Sequence, residues 1–175
     1  MKKTITSLLC LTATSLACAT TPAWNEHKGN YAELVGGTNA YYLGILSSRG
    51  SVGGAGVTGA GWAGALGYNF TNTFGLEAGL MQNFVDLNGG GYVISPYTTT
   101  RFTLPIGQRF SFIGKLGLMA PFVPEEGGIV LPYTGVGFSY AATKNLDFTL
   151  QYQGAFYVIA GAGLLGAGIT YHFDM

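Results

Sequence analysis

The sequence predicts an eight-stranded antiparallel transmembrane β-barrel of the up-and-down type. Three observations lead there. Segments of about ten residues alternate apolar side chains with small or polar ones, the period of a strand that has one face in lipid. Clusters of turn formers interrupt these segments seven times, which gives eight strands, an even number and the smallest seen in such barrels. The composition suits lipid: 9% charged residues, 14% aromatic, and 29 glycines among 175 residues. An ordinary soluble domain carries about 25% charged residues and about 7% glycine.

The same numbers exclude other classes. A disordered chain would lack the 11 Tyr and 11 Phe. Collagen would place glycine at every third position. A nucleic-acid partner would call for a basic field, and the formal net charge is zero.

The chain opens on a targeting segment. Lys2 and Lys3 precede an apolar stretch, Ile5 to Ala17, which ends in the small-x-small site Ala17-Cys18-Ala19. That is the plan of a cleaved secretory signal over residues 1–19. About 15 apolar residues fall short of the 20 or so that span a bilayer as a helix. Both cysteines, Cys10 and Cys18, lie inside the signal, so the exported chain has no thiol, disulfide or thiolate metal site. Lipidation at Cys18 is the rival reading; lipoprotein signals usually carry Leu three residues before the cysteine, where this chain has Ser15. Residues 20–39 are expected to form an N-terminal segment and residues 40–175 the barrel.

The strands are expected near 40–48, 57–70, 74–84, 92–104, 109–122, 130–141, 145–157 and 163–173. The first is the least defined; it can also begin nearer Tyr31. In the second, Ala60, Trp62, Leu66, Tyr68 and Phe70 share the lipid face. Phe74, Leu76, Ala78, Leu80 and Phe84 do so in the third, opposite Glu77, Met81 and Asn83. Phe110, Phe112, Leu116, Leu118 and Phe122 stand opposite Ser111 and Lys115 in the fifth. Leu146, Phe148, Leu150 and Tyr152 stand opposite Asp147, Thr149, Gln151 and Gln153 in the seventh. Thr71 to Thr73, Pro105 to Gln108 and Thr143 to Asn145 are the short turns. A membrane helix over Gly154 to Tyr171 is the competing assignment. Its interior glycines argue against it at roughly 1 kcal/mol each relative to Ala.

Four stretches carry a family resemblance: Gly64 to Glu77, Arg109 to Leu118, Leu131 to Tyr140 and Thr143 to Tyr152. Their order and spacing resemble the OmpA-like eight-stranded barrels of the Gram-negative outer membrane, across nearly all of the exported chain. Gly168, Tyr171 and Phe173 look like the C-terminal signal by which such barrels are recognised for insertion. The resemblance implies a monomer in the outer membrane, with lipid, lipopolysaccharide and the barrel-assembly machinery as partners. It implies a single-domain relative without a peptidoglycan-binding domain.

Inward charges are the candidate functional groups. Glu77 and Arg101 fall at similar height, with Lys115 expected higher on the next strand. A buried charge needs a partner, so a Glu77–Arg101 pair is predicted, with Lys115 as the alternative partner. A structural plug is the preferred reading; a gate in which Glu77 exchanges partners is the functional one, and OmpA-like barrels are thought to use a similar arrangement. Trp62, Tyr68, Phe70, Phe74, Phe110, Tyr140, Tyr152, Tyr171 and Phe173 are expected to form the two interfacial girdles.

No metal-ligand spacing, phosphate-binding loop or nucleotide fingerprint is present, and no metal or cofactor is expected. Enzymatic activity is not expected either. Lipid A-modifying barrels need a histidine with a Ser or acidic partner near the outer leaflet. Here His27 precedes the barrel and His172 faces inward at the periplasmic end. The leading expectation is therefore a structural and surface role with at most a narrow gated conductance. A surface adhesin acting on a host ligand through its loops is the alternative; Asp86, Glu125 and Glu126 make those loops acidic and not heparin-binding.

Overall fold

A computed structural model describes residues 27–43, 55–85, 91–123, 127–156 and 160–173 of the chain. The strands are β1 (Gly29–Leu43), β2 (Ala55–Asn69), β3 (Phe74–Val85), β4 (Gly91–Pro105) and β5 (Phe110–Met119). Two-residue strands β6 (Phe122–Val123) and β7 (Gly127–Gly128) follow, then β8 (Leu131–Ala141), β9 (Leu146–Phe156) and β10 (Ala160–His172). Each long strand pairs antiparallel with its neighbours in the chain, and β10 returns to pair with β1 from Tyr31↔His172 to Leu43↔Ala160. The eight long strands thus close into a barrel with no free edge, which lets every strand satisfy its backbone within a membrane. No helix occurs among the described residues, and the described part of the stretch read alternatively as a membrane helix forms the end of β9 and most of β10.

The pattern of burial is reversed relative to a soluble protein. Leu66, Leu80, Leu116, Leu118, Phe138 and Leu150 stand exposed, whereas Glu33, Glu77, Arg101, Lys115, Gln151 and Gln153 are buried. Alternation fixes this: one step along a strand moves a side chain from lipid to lumen.

Short turns join the strands at one end. Phe70 N and Thr71 N both donate to Phe74 O, at 3.0 and 3.2 Å, while Thr71 Oγ1 accepts from Phe74 N at 3.0 Å. Thr143 Oγ1 accepts from Leu146 N in the same manner. Such turns face the periplasm in barrels of this type, with longer loops outside.

The first strand differs from the expectation of 40–48: it starts at Gly29 and shares only Ala40–Leu43 with that segment, residues 44–48 lying outside the described residues. The barrel therefore begins within the stretch set aside as an N-terminal segment. Tyr31, Glu33 and Val35 face inward and Leu34 and Gly36 outward, so neither face has the apolar contrast that marks the other strands. The β1–β2 register shifts between Thr38 and Asn39, skipping Gly59, whose φ of 61° marks a glycine bulge. The fifth strand ends at Met119, and Phe122 belongs to β6, opposite Ile94.

The expected girdle residues fall in two places. Tyr68, Phe70, Phe74, Phe110, Tyr140, Tyr171 and Phe173 ring the short-turn end. Their rings meet in pairs, with centroids 5.1 Å apart for Tyr68–Phe70, 5.0 Å for Phe110–Tyr140 and 5.2 Å for Tyr171–Phe173. Trp62 lies toward the other end, where Nε1 donates to Gln82 Oε1 at 3.0 Å. From Phe74 to Gln82 the tilted strand climbs roughly 20 Å, close to the height of an apolar band. Tyr152 sits on the same upper part of the lipid face, half-buried.

Candidate functional site: a filled lumen

The middle of the lumen holds two acids and two bases. Glu33 on β1 and Glu77 on β3 face Arg101 on β4 and Lys115 on β5, each at most 4% exposed. Arg101 Nη1 lies 3.1 Å from Glu33 Oε2 and 3.9 Å from Glu77 Oε2. Lys115 Nζ donates to Glu77 Oε1 at 2.9 Å and also to Glu33 Oε1. Neutral groups complete the shell. Gln151 Nε2 and Thr170 Oγ1 donate to Glu33 at 2.9 and 3.2 Å. Tyr31 Oη donates to Glu77 at 3.1 Å, and its ring lies 4.8 Å from the Arg101 guanidinium carbon. The cluster is formally neutral, which is the condition for charges to persist away from water.

The structure brings Glu77, Arg101 and Lys115 together and changes their pairing. The nearer acid for Arg101 is Glu33, and the short contact of Glu77 is with Lys115. Lys115 and Arg101 are register partners on adjacent strands. Glu33 lies outside the expected first strand, 40–48, because the strand begins eleven residues earlier, at Gly29. An isolated acid between Tyr31 and Val35 was the available signal.

Above the charges, away from the short turns, an apolar cluster fills the lumen beside the buried polar Asn39, Ser95 and Gln153. Val35, Met81, Met119 and Leu164 pack there with Tyr97 and Tyr133, whose rings stack at 4.6 Å and 8°. Tyr133 Oη donates to Gln153 Oε1 at 2.8 Å and joins the two layers. Glycines make room for these rings. A Cβ at Gly79 would come within 2.7 Å of Tyr97 Cζ, and one at Gly67 within 2.2 Å of Tyr31 Cζ.

Below the charges, at the short-turn mouth, His172 meets Asp147 and Ser139. Ser139 Oγ donates to Asp147 Oδ2 at 3.0 Å, and His172 Nε2 lies 3.3 Å from the same oxygen. These residue types suggest a hydrolytic triad, but the order is wrong: a triad places the histidine between serine and acid, and here the acid is central. His27, ahead of the first strand as expected, stacks on His172 with centroids 3.5 Å apart.

A closed, lipid-faced barrel of eight strands with a filled lumen defines a small transmembrane β-barrel of the outer-membrane type. No protein-family model and no curated protein sequence matches the chain. Among solved structures, the chain is similar to Neisserial surface protein A (NspA), with a TM-score of 0.57 and 18% identity over 83% of this chain and 97% of that one. It is similar to Ail, the attachment invasion locus protein of Yersinia pestis, with a TM-score of 0.55 and 15% identity over 83% and 99%. The N-terminal barrel domain of Pseudomonas aeruginosa OprF gives a TM-score of 0.53 and 16% identity over 84% and 99%. At these identities the likeness is one of fold.

Proposed function

We propose that the protein is an outer-membrane barrel with a structural role. It is exported by a cleaved signal over residues 1–19, inserts as a monomer, holds a sealed span in lipid and displays its longer loops outside. The observation that carries this reading is the double seal of the lumen. A neutral four-charge cluster lies under an apolar layer that contains the Tyr97–Tyr133 stack. An eight-stranded barrel is just wide enough for side chains to fill, and a gate built on Glu77 alone would leave the apolar layer in place. The lipid face and aromatic rings support the membrane location. The test is electrical: purified barrel in planar bilayers should leave the baseline silent, and reproducible unitary steps would overturn the sealed reading. Mobility on SDS gels before and after boiling, in the outer-membrane fraction, checks the location and closure.

A second reading gives the loops a host or surface ligand. It is favoured by the names of the similar proteins, an attachment invasion locus protein and a surface protein. Deleting the segments between β1 and β2 and between β5 and β8 would abolish binding to cells while leaving the gel shift intact.

A further inference from the structure

We propose that the short-turn mouth of the barrel binds one divalent transition-metal ion of the zinc type through His27, Asp147 and His172. This goes beyond the structural role. Three separate parts of the chain supply the ligands: the residues before β1, the start of β9 and the end of β10. Their donor atoms lie within 4.8 Å of one another. His27 Nε2 is 3.5 Å from Asp147 Oδ1, and His172 Nε2 is 3.3 Å from Asp147 Oδ2. Ligand atoms about 2.0–2.2 Å from one tetrahedral ion stand about 3.3–3.6 Å apart, so the spacing of His27 Nε2 and Asp147 Oδ1 already matches one edge of the coordination figure.

Two of the donor atoms face only each other, at 3.5 Å. His27 Nε2 and Asp147 Oδ1 are sealed from solvent, and neither takes part in a hydrogen bond. A buried carboxylate oxygen without a donor is costly, and a metal ion would satisfy it. The Asp147 side chain is 7% exposed. Ser139 Oγ holds its other oxygen at 3.0 Å, as an outer partner orients a metal-binding carboxylate.

The donor set selects the ion. Imidazole nitrogens suit zinc, copper and nickel, whereas magnesium and calcium prefer oxygen alone. Three protein ligands leave a fourth position for water or another small donor, so the ion is exchangeable. His27 is the ligand that moves. Its ring is parallel to that of His172 within 5°, so the two lone pairs run side by side and do not converge. Gly29, with φ at 104°, turns the chain out of β1 toward this position and carries His27 outside any strand. Binding swings that ring off the stack.

The chain has two histidines, so both nitrogen ligands are accounted for by these positions. The folded barrel, purified from membranes without an affinity tag, is titrated with Zn²⁺ by calorimetry and with Cu²⁺ by electron paramagnetic resonance. One ion per barrel and a two-nitrogen hyperfine pattern are expected. His27→Ala should weaken Zn²⁺ binding at least about 10-fold, since even outer partners of a ligand are worth that much. The barrel of that variant still forms, because His27 lies before the first strand, and the gel shift verifies it. Absence of saturable Zn²⁺ binding, a copper spectrum with fewer than two nitrogens, or undiminished affinity in His27→Ala would each overturn the proposal.

Discussion

Lys115 reaches Glu33 straight across the barrel. Their strands, β5 and β1, stand four places apart whichever way the ring is counted, and the ammonium bridges Glu33 and Glu77 at once. The contact is therefore a strut between opposite walls and not a cross-strand pair.

Removing one end of that strut leaves an uncompensated charge buried away from solvent. Lys115→Met or Glu33→Gln alone should cost about 3–5 kcal/mol. The double variant should cost clearly less than the sum, because the two groups share one network. Urea midpoints in detergent, read as a double-mutant cycle, give the coupling; additive losses would show that the strut is not a unit.

Opening the lumen should take two changes. Glu77→Ala disturbs the charge layer but leaves Met81, Met119, Tyr97 and Tyr133 above it. That variant should remain silent in planar bilayers. Conductance should emerge when Tyr97→Ala and Tyr133→Ala are added, because the ring stack is removed with the charges. Steps from Glu77→Ala alone would favour the gate.

Glycines on the two faces should respond differently to one methyl group. A Cβ at Gly79 would meet the Gly64 carbonyl oxygen at 2.5 Å, whereas at Gly36 nothing lies within 4 Å. Gly79→Ala should destabilise by about 1–3 kcal/mol through overpacking. Gly36→Ala should leave the unfolding midpoint nearly unchanged.

The lipid face should be sensitive to charge by depth. Leu116→Arg, near the middle of β5, should cost about 2–4 kcal/mol, and Phe110→Arg, at its end, about 0–1 kcal/mol. Unfolding in lipid vesicles measures both, and equal costs would mean that the apolar band is misplaced.

Alternation made most of the barrel legible. In β2, β3, β5 and β9 large apolar residues recur at alternate positions, and the structure puts Trp62, Leu80, Leu116 and Leu150 outward as their period requires. β1 lacks that contrast. Its lumen side carries Tyr31 and Val35, as apolar as its lipid side, so its start was misjudged and Glu33 with it. The partner of Arg101 could not then be found. Heights were also illegible: strand tilt decides which residues are level, and position counted from a turn does not reveal it. The mouth cluster was hidden for a third reason. Positions 27, 147 and 172 have no local spacing in common, and only ring closure brings them within reach.

Closure by β10 onto β1 has a kinetic side as well. Thr170 donates to Glu33 across 137 positions of chain, and the β1–β10 ladder spans a comparable separation throughout. Such distant pairings form slowly, because the whole intervening loop must first be ordered. Until the last strand docks, β1 and β9 each present an open edge able to recruit a stranger. Loss of that strand would therefore not yield a slightly smaller barrel. It would yield a sheet with two adhesive margins, a species committed to aggregation unless an escort holds it.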